Sequence, residues 1–139
     1  MIKISTWNVN SINARLDNAL SWLQEEKPDI VLLQELKCTN DKFPHQEIED
    51  LGYNIAVHGQ KTYNGVAILS KYPLSDIVTK FKNNPVADEA RYIEAIVNFK
   101  TCAITVASVY VPNGQDLESD KYPIKPEFLK QLGEHYKRI

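Results

Sequence analysis

A carboxylate at the end of a buried strand needs a reason, and Glu35 is such a carboxylate. It follows Ile30, Val31, Leu32 and Leu33 in the stretch IVLLQELK, an apolar run that reads as a strand covered on both faces. Such a strand ends at the rim of a core, and this rim carries Gln34, Glu35 and Lys37. An earlier β-type run, Ile2 to Trp7, leads into Asn8 and Asn10. If the two runs are parallel neighbours, their carboxyl ends lie side by side, where open α/β sheets place ligands. Asn8, Asn10 and Glu35 would then offer one carboxylate and two amide oxygens to a common point. A few oxygen donors suit Mg²⁺, with Mn²⁺ as the alternative, because the ion fills its shell with waters and substrate phosphate oxygens. The same residues also fit a plainer role, a solvated carboxylate ending a strand and two asparagines capping a helix. Spacing alone leaves both open.

Tyr110 ends another strand-like run, where its phenol could reach a phosphate oxygen or half-bury in a core. Asn113-Gly114 reads as a turn. His45, His58 and His135 share no helix face and no metal spacing, and read as ordinary surface or capping residues. Cys38 and Cys102 form no CxxC or Cys/His pattern, which fits reduced thiols in a cytoplasmic protein.

The elements that must position these groups follow from the rest of the chain. Its 139 residues suit one domain, and 43% hydrophobic with 24% charged residues is a globular composition. The net charge of −2 supplies no global basic field, so nucleic-acid binding would need a local patch or a metal. Met1 to Trp7 shows no basic region followed by an apolar run, so no secretory signal is expected. No apolar stretch approaches the ~20 residues of a membrane span. Ile12, Leu16, Leu20 and Leu23 recur at helical spacing, with Ser11 a plausible N-cap and Pro28-Asp29 an end. A short helix is expected over 46–51, closed by Gly52, and a last one over 126–136. Strands are expected over 30–33, 53–57, 66–69, 77–81, 92–99 and 103–111, with Asn64-Gly65 as a tight hairpin turn. Strand, helix, strand, helix and then a run of strands is an α/β pattern with an antiparallel portion.

Taken together, STWNVNSINAR, IVLLQELKCTNDKFP, LGYNIAVHGQKTYNGVAILSK, EARYIEA and VYVPNG occur in the order and spacing of the exonuclease III family of apurinic/apyrimidinic endonucleases. The resemblance runs from residue 2 to about residue 133, within the wider endonuclease/exonuclease/phosphatase superfamily. Lys37, Phe43-Pro44 and the run His58-Gly59-Gln60-Lys61 resemble the repair nucleases more than the related phosphatases and sphingomyelinases. The resemblance implies a DNase I-like fold, a four-layered α/β sandwich of two packed β-sheets flanked by helices. It implies Mg²⁺-dependent hydrolysis of phosphodiesters in double-stranded DNA, beside abasic sites and at 3′ ends, with no membrane involved. Glu35 resembles the family's metal-binding glutamate, Asn8 the asparagine beside it, and Asn10 a metal-proximal position. Tyr110 resembles the tyrosine that contacts the scissile phosphate. Lys37, Lys61, Lys71, Arg91 and Asn113 are then candidates for positioning phosphate or DNA.

The departure is large. The family's second half carries a Gly-Asp-x-Asn motif and a Ser-Asp-His motif. This sequence has no Gly-Asp pair, Ser75-Asp76 is followed by Ile77, and Ser119-Asp120 by Lys121. The expectation is that residues 1–139 form the N-terminal half of the fold, lacking the C-terminal half. Such a half leaves an apolar face uncovered, with alternate residues of 103–111 and of 66–69 as candidates for it. Three functions stay open: a Mg²⁺-dependent DNA-repair nuclease of the exonuclease III type represented by its N-terminal half, with a separately encoded C-terminal half as a candidate partner; an inactive fragment of a split or truncated gene surviving as a partner-dependent or vestigial module; and a phosphodiesterase of the same fold on a non-DNA substrate.

Overall fold

The computed structural model describes residues 1–113 and 123–137. β2 (Ile30–Gln34) and β4 (Val66–Ser70) are apolar at successive positions because both of their faces are covered. They sit inside a four-stranded sheet of order β1-β2-β4-β3, with β1 at Ile4–Asn8 and β3 at Asn54–His58. β1 runs parallel to β2 and the other two pairs are antiparallel. A second, antiparallel sheet has the order β5-β6-β7, from Leu74–Val78, Tyr92–Asn98 and Ala103–Val109.

Alternation along these strands sorts residues into layers. Val31, Leu33, Ala67 and Leu69 turn to one side of the first sheet, against Ala19 and Leu23 of α1 (Leu16–Glu26) and Ile48 of α2 (His45–Glu49). Ile30, Val66 and Ile68 turn to the other side and meet Ile93, Ala95 and Val97 of β6. Tyr92, on the outer side of β6, packs with Phe81, Phe128 and Leu132, the last two from α3 (Ile124–Tyr136). Three apolar interfaces separate four layers: helix, sheet, sheet, helix. Each fully buried Leu, Ile or Phe contributes about 1.5–3 kcal/mol.

Several expectations need correction. Ser11 is no helix cap: Asn10 and Ser11 have φ of 46° and 83°, so the chain makes a further turn and α1 begins at Leu16. Ser11 Oγ instead accepts the Ala14 N–H at 3.2 Å. The fifth strand is Leu74–Val78 rather than 77–81, because Phe81 is drawn into the cluster beneath α3, with its ring 5.3 Å from that of Phe128. Asn64-Gly65 makes no tight hairpin and closes a longer loop between β3 and β4. Asn64 and Gly65 have φ of 57° and 95°, and their carbonyls receive the Lys37 and Leu36 N–H groups at 2.9 and 3.1 Å. A Cβ on Gly65 would stand 2.9 Å from the Leu36 Cβ, so the position admits only glycine. Val66 to Leu69 line no open face, since every one of them is buried. On β7 the expectation holds better, with Ile104 37% exposed. His135 is no ordinary surface or capping residue. Its Nε2 lies 2.5 Å from Glu94 Oε1, which also accepts the Tyr92 hydroxyl at 2.7 Å, so the imidazole fastens α3 to β6.

Candidate active site

Parallel pairing of β1 with β2, Asn8 opposite Gln34, brings both strand ends to one edge. The ladder continues past the strands: Val9, Ser11 and Ile12 donate to the carbonyls of Gln34, Glu35 and Leu36 at 3.0, 2.9 and 3.2 Å. Glu35 and Lys37 both have φ of 57° and flank Leu36, which is fully buried. With Asn10, Ser11 and Asn64 they gather left-handed residues around one rim. Such conformations persist where neighbouring contacts over-determine them, and they concentrate at ligand sites.

The second sheet contributes Tyr110, one residue past β7. Its hydroxyl donates to Glu35 Oε1, and its N–H to the Arg91 carbonyl at 2.8 Å. The Arg91 guanidinium lies 4.8 Å from the centre of the Tyr110 ring and is held at 3.0 Å by Glu89. Burial raises the Tyr110 pKa, and the hydrogen bond and charge of Glu35 raise it further against the opposing Arg91. The phenol is therefore protonated at neutral pH, a donor rather than an acceptor.

Asn8 Oδ1 accepts the Asn10 N–H at 3.2 Å, and Asn10 Oδ1 accepts the Lys37 ammonium at 2.6 Å. Asn8, Asn10 and Lys37 thus form one linked set at the rim, and Glu35, Tyr110 and Arg91 a second. Lys61 is exposed on the 59–65 loop, whose far end supports Leu36 and Lys37. Lys71 lies at the opposite end of β2, where its backbone bonds Asp29 and its ammonium bonds the Lys27 carbonyl at 3.1 Å. Asn113 is exposed, three residues beyond Tyr110, while Gly114, the other half of the expected turn, lies outside the described residues. Ser108 was not singled out by sequence, and Gln60 only as part of the run His58-Gly59-Gln60-Lys61. Gln60 Oε1 accepts from Asn64 Nδ2 at 3.0 Å and from the Ala90 N–H at 2.8 Å, pinning the loop. Ser108 left one sign, a hydroxyl in the middle of the apolar run TVASVYV.

Among the described residues no group of three or more His, Cys, Asp or Glu could hold a metal. The donors at the rim are hard oxygens, Glu35 and Asn8. They fit Mg²⁺ in type, and a single carboxylate gives the site little charge.

Residues 5–134 match the model of the Endonuclease/Exonuclease/phosphatase family. The chain belongs to that family. Among its members, exodeoxyribonuclease III of Haemophilus influenzae is 30% identical over 138 residues, 99% of this chain and 52% of the relative. An AP endonuclease from Archaeoglobus fulgidus superposes with a TM-score of 0.91 at 39% identity, over 99% of this chain and 52% of that one. A 3′ phosphatase from Neisseria, solved with a product DNA hairpin, does so with a TM-score of 0.91 at 38% identity and the same coverage. The two-sheet arrangement is therefore the DNase I-like fold of this family, and the chain spans about half the length of the relatives it matches.

Proposed function

We propose that residues 1–139 supply the N-terminal half of a cytoplasmic DNA-repair nuclease of the exonuclease III type, whose active site is completed by the C-terminal half of the fold. The observation that carries this reading is the meeting of Glu35 and Tyr110, from different sheets, at the shared rim. Glu35 and Asn8 would hold Mg²⁺, which when bound stabilises charge on the phosphoryl oxygens and the leaving 3′ oxygen. Tyr110, kept protonated, donates a hydrogen bond to a phosphate oxygen as charge develops there. Arg91 stacks on the Tyr110 ring and orients it. Lys37 and Lys61 add sequence-independent attraction for the backbone of double-stranded DNA carrying abasic sites or 3′ ends.

A second reading, a catalytically silent module, is favoured by what the rim lacks. The Gly-Asp-x-Asn and Ser-Asp-His motifs, whose Asp and His would orient a water and take its proton, do not occur in residues 1–139. Losing such a base forfeits roughly 10²–10⁴-fold in rate. An oligonucleotide with one abasic site, incubated with the pure chain and Mg²⁺, tests both readings. The lone chain is expected to show no incision above background, and adding a polypeptide equivalent to the relatives' remaining half restores it in a Glu35-dependent way. Robust incision by the lone chain, abolished by Glu35→Ala, would show that the missing groups are dispensable. No incision in any combination would leave the silent module.

A further inference from the structure

The two sheets meet chiefly through aliphatic side chains such as Ile68 and Ile93. Non-directional packing of that kind sets the spacing of layers more firmly than their register. Directly behind the Glu35–Tyr110 contact the chemistry changes. Gln34 is 9% exposed and Ser108 fully buried, and the Gln34 amide donates to Ser108 Oγ at 3.0 Å across the gap between sheets. The Ser108 hydroxyl donates in turn to the Leu33 carbonyl at 2.7 Å. The same amide reaches Thr6 Oγ1 on β1 at 3.0 Å and the Leu32 carbonyl at 3.1 Å. One side chain therefore links β1, β2 and β7.

The amide shares its two protons among these three acceptors. The Ser108 proton is committed to Leu33, so toward Gln34 its oxygen can only accept, and the partner must be a donor. Gln34 immediately precedes Glu35, and Ser108 stands two residues before Tyr110, on the same side of the strand. A slip of either sheet would break this directional pair before it disturbed the aliphatic contacts.

We propose that Gln34 and Ser108 are positioning residues that hold Glu35 opposite Tyr110 across the two sheets. Their service to catalysis rests on the nuclease reading, while the positioning itself does not. The test uses the full chain with ¹³C-labelled tyrosine and follows the Tyr110 ring resonance as Glu35 is changed to Gln. In the otherwise natural chain that substitution shifts the resonance. In a Ser108→Ala background the response is expected to fall by at least about half, as coupled contacts require. Thr6→Val, which spares the link between sheets, keeps the full response. Unchanged Tyr53 and Tyr92 resonances show that each variant is folded. Should Ser108→Ala fail to fold, Gln34→Met, of similar length and without the amide, replaces it. A full response in either folded variant overturns the proposal, whether or not any completed nuclease cleaves DNA. Loss of the response together with incision reduced in the completed enzyme by Ser108→Ala supports it through to catalysis.

Discussion

Glu35 is held by its backbone from two directions, with Ser11 donating to its carbonyl and a left-handed φ of 57° turning the chain out of β2. Only its carboxylate is left to act. With one carboxylate, Glu35, and the amide of Asn8 as the donors, binding of Mg²⁺ or Mn²⁺ is expected to be weak and to vanish in Glu35→Ala, as titration calorimetry would show. Equal binding by the two chains would move the metal elsewhere. Tyr53 makes a prediction of another kind. Its hydroxyl donates to the Pro28 carbonyl at 2.6 Å, and burial, with a smaller effect of Asp29, raises its pKa from 10.0 to about 12. A raised phenol pKa stabilises the fold fully below about pH 10 and loses that contribution as the pH rises through about 12, because the unfolded phenol ionises first. Tyr53→Phe should therefore flatten the alkaline decline in stability, read from urea midpoints between those limits.

At the scale of elements, the β-helix-β opening was the most legible part of the chain. The runs at Ile2 to Trp7 and 30–33 were visible from composition, and their parallel pairing followed from the helix between them. The misplaced elements share a physical cause. Phe81 and Ile77 look alike in sequence, yet Phe81 is buried beneath α3 while Ile77 is 50% exposed on β5. His135 was unreadable for the same reason, since its partner Glu94 stands 41 residues away. Removing the imidazole leaves a buried carboxylate short of a charge-assisted partner. His135→Ala is expected to destabilise the chain by about 1.5–3 kcal/mol in chemical denaturation, with α3 the first element to lose amide protection. A loss below about 0.5 kcal/mol would make the pairing incidental.

At the scale of the whole molecule, the open edges dominate. Among the described residues β1 pairs only with β2, and β7 only with β6. β7 lies over β2 and β4, so the β1 and β7 edges face one flank, while the β3 and β5 edges lie together on the other. Ile2, Ile4 and Ile104 are among the exposed large hydrophobic residues, and unpaired strands with apolar side chains invite further pairing. The lone chain is expected to self-associate or to melt at low temperature, and sedimentation velocity over a range of concentrations would report it. A strictly monomeric species with a sharp, cooperative melt at high concentration would count against that expectation.

The sequence by itself determined the pieces whose cause is local. Period-two alternation and continuous apolar runs wrote the strands, turn residues wrote their ends, and a carboxylate beyond a buried run marked the rim. It also showed which motifs the chain does not contain. Tertiary structure alone decided what stands opposite what. Glu35 and Tyr110 are 75 residues apart, as Gln34 and Ser108 nearly are, and Lys71 was sent to the far end of the strand whose rim holds Lys37. Such pairings depend on the twist and stacking of two sheets, which no stretch of neighbouring residues encodes, because register between layers is settled only when both layers are packed.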